Sequence, residues 1–283
     1  VIAALDRRPI LVAPTGSGKT VMATALVEHV GVSTLWLAHR KELIDQAAKR
    51  LEAHGLVCGI IMAGYAPMPL AQVQVASVQT LIRRDKPPAD LIVIDECHHA
   101  TADSYQSILD AYPQARVVGL TATPFRLDGQ GLGDLFGELV VAAYPHELCE
   151  SGVLHRPKVW ASKSPDLRGV KVIAGDYSIG ALAERTNTHE LNADIVATWL
   201  KRAAGKRTVA FAVDVAHSRA ITDAFRQAGI PAEHVDGSTP RDERDAILAR
   251  LASGETLIVS NCMVLTEGWD LPALECAIIA RPT

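Results

Sequence analysis

Short apolar runs alternate with segments of helical periodicity through the first half of the chain. Runs that predict strands lie near 9–13, 33–38, 72–76, 91–95 and 116–121. Residues 41–54 place several apolar side chains, among them Leu43 and Leu51, on one face, which predicts an amphipathic helix that ends at Gly55. Strands that alternate with helices in this way form a parallel sheet with helices on both of its faces.

The same alternation continues in the second half and predicts a second parallel sheet. Strands are predicted at 208–213, 234–236, 256–260 and 276–279, and helices at 216–228 and 240–251. We expect Thr239 to cap the second of these helices and Pro240 to take its first helical position. The glycine-rich stretch 129–137 interrupts the alternation and is predicted to be an exposed loop.

The two sets of elements predict two tandem α/β domains. We place the boundary near Arg156 and Pro157, so that the domains cover 1–156 and 157–283. The last predicted strand comes just before the end of the sequence, so we expect the second domain to be incomplete at its C-terminus.

The segment APTGSGKT, from Ala13 to Thr20, lies between a predicted strand and a predicted helix at 21–30. Gly16 and Gly18 let the backbone curl around an anion with its N–H groups inward, and the helix N-terminus adds a favourable dipole. The candidate ligands of the ATP phosphates are Thr15, Gly16, Ser17, Gly18, Lys19 and Thr20. Lys19 is predicted to reach the β- and γ-phosphates and the Thr20 hydroxyl to bind Mg²⁺.

Two carboxylates follow the apolar run Leu91–Ile94, which is typical of a strand buried on both faces. At that strand end Asp95 is predicted to hold the water shell of Mg²⁺, and Glu96 to orient an attacking water. Together with Lys19, these two residues are the candidate catalytic groups.

His98 and His99 come directly after this pair. No matching Cys/His pair lies at the spacing of a metal site, so we expect His98 to make a polar contact with the segment 121–123. His99 is expected to be an ordinary surface histidine.

Two further pairs of polar residues follow predicted strands. Arg40 and Lys41 come after the strand at 33–38, and Gln79 and Thr80 after the strand at 72–76. Open parallel sheets bind ligands at these carboxyl ends. Charge, amide and hydroxyl groups suit phosphates, so the four residues are candidate contacts to a nucleic-acid backbone. For Arg40 and Lys41 the alternative is a helix N-terminus with solvated charges.

In this order the motifs resemble those of superfamily 2 helicases and translocases. The segment DECH at 95–98 stands where that family has its DEAD/DEAH-type box, and TATP at 121–124 matches its coupling motif. The segments at 37–46 and 76–81 are similar to its nucleic-acid motifs, and those at 235–239 and 265–272 to its C-terminal motifs. RadD-type bacterial DNA helicases, and next to them the helicase subunits of type III restriction enzymes, are the most similar members.

This resemblance implies two RecA-like domains that hydrolyse ATP, with Mg²⁺, between them. It implies coupling roles for His98, Thr121 and Thr123, and places Gly268 and Asp270 at the nucleotide from the second domain. The family's adenine-recognition segment is expected upstream of Val1, and its arginine finger beyond Thr283.

Composition limits the kind of partner. The chain of 283 residues is 48% hydrophobic and 21% charged, as a globular protein is, and its net charge is −4. A nucleic-acid site must therefore concentrate its positive charge locally. The five cysteines form no CxxC pair, which favours a reducing cytoplasm. No apolar run reaches the length of a membrane span.

The motifs predict an ATP-driven helicase or translocase, with DNA as its expected partner and RNA as an open alternative. A nucleotide-gated clamp with little turnover is a second hypothesis, but such a clamp has no need of the carboxylate of Glu96. The motor subunit of a restriction enzyme is a third. A small-molecule kinase with the same phosphate loop is a fourth, and the second domain argues against it.

Overall fold

The computed structural model describes residues 1–100, 103–125, 131–161, 163–173, 176–265, 269 and 271–282. The chain divides into two compact units, Val1–Pro157 and Lys158–Thr283. Within the described residues no helix is both long and apolar enough to cross a membrane.

The first unit alternates strands and helices as its sequence predicts. Its elements are β1 (Pro9–Val12), α1 (Lys19–Val30), β2 (Thr34–Ala38), α2 (Lys41–Ala53), β3 (Cys58–Ile61), β4 (Val73–Ser77), α3 (Val78–Leu81), β5 (Leu91–Ile94), α4 (Asp103–Leu109), β6 (Arg116–Thr121), β7 (Glu138–Val141) and α5 (Pro145–Glu150). Short 3₁₀ helices cover Ile2–Arg7 and Cys97–His99. β3 and β7 were not predicted.

The strands form one sheet in the order β3-β4-β2-β5-β6-β1-β7, and every pair in it is parallel. Each residue of β2 and of β5 is buried, because both faces of the sheet are covered. One hydrophobic cluster packs around Trp36 and Leu51, and a second packs around Leu37 and Ile108. The strand order makes β5, β6 and β1 direct neighbours.

The described part of 129–137 is a loop, as predicted, but it is only partly exposed. Leu132, Leu135 and Phe136 are 4%, 9% and 4% exposed and belong to the second hydrophobic cluster. A Cβ atom at Gly119 would lie 2.8 Å from the Phe136 ring, so β6 can pack this closely only where it carries a glycine. The three buried apolar side chains therefore hold this glycine-containing loop against the sheet.

The second unit repeats the alternation on a smaller scale. Its elements are β8 (Val172–Ile173), β9 (Asp176–Tyr177), α6 (Ile179–Thr186), α7 (His189–Arg202), β10 (Thr208–Phe211), α8 (Val215–Gln227), β11 (Ala232–Val235), α9 (Arg241–Ser253), β12 (Ile258–Asn261) and β13 (Cys276–Ile279). β8 and β9 form an antiparallel hairpin. The main sheet has the order β11-β12-β10-β13 and is parallel.

The predicted cap of α9 is wrong. The N-cap residue is Pro240, and no side chain caps the helix. The Thr239 hydroxyl instead accepts a hydrogen bond from the backbone N–H of Asp236, at 3.0 Å. That bond belongs to the turn after β11, so the hydroxyl is already engaged before the helix begins.

Candidate functional site

Three neighbouring strands of the first unit deliver the predicted nucleotide residues to one edge of the sheet. The glycine-rich loop follows β1, Asp95 and Glu96 follow β5, and Thr121 ends β6, which lies between them. The backbone N–H of Ala13 donates to the Thr121 carbonyl oxygen at 3.1 Å. The start of the loop is therefore fixed to the end of β6.

The loop has the backbone shape of an anion cradle. Gly16 and Gly18 have φ angles of +80° and +86°, a region that residues with a side chain avoid. A Cβ atom at Gly16 would also lie only 3.1 Å from Leu154 Cδ2. Gly18 is the N-cap of α1, and no side chain caps that helix, which suits an anion at its first N–H groups.

The side chains of the loop fit a phosphate ligand. The Ser17 hydroxyl oxygen is buried and has no hydrogen-bond partner among the described residues, which is costly unless a ligand supplies one. Thr15 and Gly16 are exposed, and Lys19 and Thr20 are half-buried. The Thr20 carbonyl oxygen accepts from Thr24 Oγ1 at 2.8 Å within α1.

Asp95 is a buried carboxyl group at the end of β5, with 6% of its surface exposed. Burial, followed by the charge of Glu96, raises its pKa to about 6. The backbone N–H of Glu96, which donates to Asp95 Oδ1 at 3.0 Å, and the charge of Lys19 act in the opposite direction. Lys19 and Asp95 therefore face the same space, and a cation there would favour the ionised carboxylate.

Glu96 has a left-handed backbone, with φ of 47°, although it is not glycine. This conformation is costly for a residue with a side chain, and such strain is concentrated at functional sites. The turn aims the Glu96 carboxylate at His98, whose Nδ1 lies 3.4 Å from Glu96 Oε2.

His98 links this turn to the end of β6. Its Nδ1 lies 3.1 Å from Thr121 Oγ1. The Thr121 hydroxyl donates to the Thr123 carbonyl oxygen at 2.9 Å and accepts from the Thr123 N–H at 3.1 Å. His98, Thr121 and Thr123 therefore form one hydrogen-bonded group, in which the tautomer of the His98 ring sets the direction of its bond to Thr121.

The candidate nucleic-acid residues lie farther along the same edge. Arg40 is the N-cap of α2, just after β2, and Lys41 is its first residue. Gln79 and Thr80 lie in α3, just after β4. Gln79 Nε2 donates to the His39 carbonyl oxygen at 3.3 Å, which joins the two pairs. The predicted nucleic-acid residues and the predicted nucleotide residues thus lie in one row along the sheet edge, at the ends of β4, β2, β5, β6 and β1.

The sequence prediction missed a contact in this row. His99 was expected to be a surface histidine, yet it is half-buried, and its ring contacts the rings of both His39 and His98. His39 and His99 lie far apart along the chain, so only the adjacency of β2 and β5 could have indicated their contact.

Two predicted residues of the second unit, Gly268 and Asp270, lie outside the described residues. Nearby, Trp269 is half-buried against a hydrophobic cluster of that unit. In the turn after β11, Ser238 donates to Asp236 Oδ1 from its N–H at 2.8 Å and from its hydroxyl at 2.6 Å. With His234, 2.9 Å away, these bonds hold the pKa of Asp236 well below its usual range.

Two family models match the chain in succession. Residues 2–126 match the model of the type III restriction enzyme, res subunit, and residues 191–283 match the helicase conserved C-terminal domain. The chain is 34% identical over 296 residues to the Saccharomyces cerevisiae protein named "Putative ATP-dependent helicase IRC3", and the match covers 95% of this chain and 43% of that protein. It thus spans less than half of that relative's length.

A second relative and a solved structure agree with these matches. The DNA 3'-5' translocase XPB2 of Sulfurisphaera tokodaii is 24% identical over 321 residues, which cover 97% of this chain and 71% of the relative. The crystal structure of the Pyrococcus furiosus Hef helicase domain superposes with a TM-score of 0.56 at 18% identity, and the match covers 99% of this chain and 88% of that one.

The structural similarity confirms the predicted fold of two RecA-like parallel-sheet domains. The sequence matches run through both units in the order that the motifs predict. The assignment to RadD-type enzymes stays a prediction. The chain belongs to the superfamily 2 helicases and translocases.

Proposed function

We propose that this protein is an ATP-driven motor that translocates along DNA or separates its strands. The observation that carries the proposal is the convergence of Lys19, at the start of α1 after β1, with Asp95 and Glu96, which follow β5 on the other side of β6. The relative named as a DNA translocase supports DNA as the substrate, with RNA as the alternative. The free thiols of all five cysteines fit the reducing cytoplasm that the sequence favours.

The first unit supplies the nucleotide-binding residues in this proposal. The loop residues Thr15–Thr20 hold the ATP phosphates with backbone N–H groups, and the orphaned Ser17 hydroxyl gains a partner. The Thr20 hydroxyl and the Asp95 carboxylate would hold Mg²⁺, which would neutralise charge on the phosphates, as it does in other phosphoryl-transfer enzymes. Glu96 accepts a hydrogen bond from the attacking water and thereby orients it.

The neighbouring strand ends supply the nucleic-acid contacts. Arg40 and Lys41 offer positive charge to backbone phosphates, and Gln79 and Thr80 offer hydrogen bonds. In a protein with a net charge of −4, this local cluster would provide the attraction. The hydrogen-bonded group of His98, Thr121 and Thr123 lies beside Glu96 and is proposed to couple hydrolysis to movement.

A motor subunit of a restriction enzyme is a second candidate. The match of residues 2–126 to the res subunit model favours it. Such a subunit would use the same ATP and DNA residues, so the two candidates differ in the partner proteins and agree on the site.

The rate of ATP hydrolysis, measured with and without single-stranded DNA, tests this proposal. We expect hydrolysis that requires Mg²⁺ and is stimulated by DNA, and weaker stimulation by RNA of the same length. Binding of ATP and DNA without turnover would favour a clamp. Hydrolysis that no nucleic acid stimulates would exclude a nucleic-acid motor.

Replacing Arg40 with alanine should weaken DNA binding by a similar factor for every sequence. One lost phosphate contact should also reduce the slope of log K against log salt concentration by about 0.7 for a single strand. Fluorescence anisotropy with several oligonucleotides over a salt series measures both quantities. Arg50→Ala, on the exposed far end of α2, is the matched control and should change neither. A loss confined to certain sequences would mean that Arg40 reads bases.

A further inference from the structure

Three imidazole rings lie in contact at the carboxyl edge of the first sheet. The ring centroids of His39 and His99 are 4.4 Å apart, and those of His99 and His98 are 4.1 Å apart. The rings come from the end of β2 and from the 3₁₀ turn after β5. At such distances the rings touch, so the middle ring cannot shift without displacing a neighbour. The ring planes are tilted by 58° and 44° to each other, so the rings meet at an angle rather than in parallel. We call these three residues the histidine stack.

One end of the histidine stack lies at the proposed ATP-hydrolysis residues, and the other end lies at the candidate nucleic-acid residues. At one end, His98 Nδ1 lies 3.1 Å from Thr121 Oγ1 and 3.4 Å from Glu96 Oε2. At the other end, the His39 carbonyl oxygen accepts from Gln79 Nε2 at 3.3 Å, and Arg40 is the next residue in the chain. The stack therefore spans the gap between the water-orienting carboxylate and the nucleic-acid residues.

The strand ends next to the stack are firmly held, whereas His39 lies just beyond the last residue of β2. The Asp95 N–H donates to the Leu37 carbonyl oxygen at 2.9 Å, which extends the pairing of β5 with β2 up to the turn. Cys97 and Ala100 are fully buried in the second hydrophobic cluster and hold the turn in place. Since the strand ends are fixed, a displacement of the segment after β2 would reach the turn after β5 through the side chains that touch.

We propose that His39 and His99 are positioning residues that pass the effect of nucleic-acid binding through His98 to Glu96. This inference rests on the proposed function. When a backbone phosphate draws Arg40 and Gln79 together, the segment that carries His39 moves with them. His99 then presses on His98, whose bond to Thr121 and proximity to Glu96 set the orientation of the carboxylate. Neither His39 nor His99 contacts the nucleotide in this scheme.

Two substitutions of the middle ring test the proposal. His99→Ala opens a gap in the stack, and stimulation of ATP hydrolysis by saturating single-stranded DNA should fall by about 5-fold or more, the lower range of measured site-to-site coupling. The rate without DNA should stay near that of the wild type. His99→Phe keeps a ring of similar size, so it should retain most of the stimulation. Because the phenyl ring would also restore packing, the melting temperature of each variant and its rate without DNA distinguish lost coupling from lost stability.

A double-mutant cycle tests whether His39 and His99 transmit the effect of DNA binding together rather than independently. His39→Ala should reduce the stimulation as much as His99→Ala, and the double variant should lose little more than either single variant. His54→Ala, at the distant C-terminal end of α2, is the matched control and should behave as the wild type. Far-ultraviolet circular dichroism and thermal melting establish that each variant is folded. If His99→Ala is unfolded, the stimulation of ATP hydrolysis by DNA is compared between His39→Ala and His99→Phe. The inference then predicts that stimulation is reduced in His39→Ala and largely retained in His99→Phe.

The outcomes separate this inference from the proposed function. A wild-type protein whose hydrolysis is not stimulated by nucleic acid would overturn both. A stimulated wild type with an equally stimulated His99→Ala or His39→Ala would overturn the inference alone. The inference would also fail if His99→Phe lost as much stimulation as His99→Ala, or if the losses in the double variant simply added.

Discussion

Replacing Glu96 with glutamine should reduce the turnover of ATP by about 100- to 10,000-fold, the usual contribution of a positioned acid–base group. The amide keeps the size of the side chain and loses the charge that orients the attacking water. Binding of ATP and Mg²⁺ should persist, because the charge of Glu96 is one of the causes that raise the pKa of Asp95. Without it, Asp95 is ionised more readily and holds the metal at least as well.

Single-turnover hydrolysis and equilibrium binding of a fluorescent ATP analogue measure the two effects separately. Glu28→Gln is the matched control, since that glutamate is exposed in the last turn of α1, at the opposite end of this helix from the glycine-rich loop. The role assigned to Glu96 would be contradicted if the Glu96→Gln protein bound ATP poorly and had a normal turnover rate at saturating ATP.

The sheet of the first unit could be predicted because its strands are short and wholly apolar. The runs at β2 and β5 are buried on both faces, and such runs differ sharply from the amphipathic helix between them. β7 was missed for the converse reason, since its residues are alternately half-buried and exposed at the edge of the sheet. The glycines at 129–137 correctly indicated a loop, but composition cannot reveal that Phe136 packs against Gly119 and is buried.

The sequence predicts which residues form the candidate site, but it does not predict which strands and side chains are neighbours there. Residues at the ends of parallel strands share one edge, so the glycine-rich loop, Asp95 and Thr121 were expected to be near one another. That β6 lies between β1 and β5 depends on long-range pairing, which no local pattern encodes. The contact of His39 with His99 depends likewise on the pairing of β2 with β5, and no local pattern indicates the left-handed backbone of Glu96.

Replacing Lys19 with alanine should abolish productive ATP binding and lower hydrolysis by about 100-fold or more, as the loss of a preorganised group that stabilises developing charge does. Two effects combine here. The loop loses the ammonium group predicted to reach the β- and γ-phosphates. Asp95 loses a positive neighbour that lowers its pKa, so the buried carboxyl group is more often protonated and binds Mg²⁺ more weakly.

The fold should survive the Lys19→Ala substitution, which makes the loss of activity interpretable. Lys19 is the first residue of α1 and is half-buried, and alanine is the residue with the highest helix propensity. The melting temperature without nucleotide should therefore stay near that of the wild type, whereas the rise in melting temperature on adding Mg²⁺ and ATP should disappear. Lys49→Ala, on the exposed face of α2, should keep both the rise and the activity. Wild-type hydrolysis in the Lys19→Ala protein would exclude the glycine-rich loop as the phosphate site.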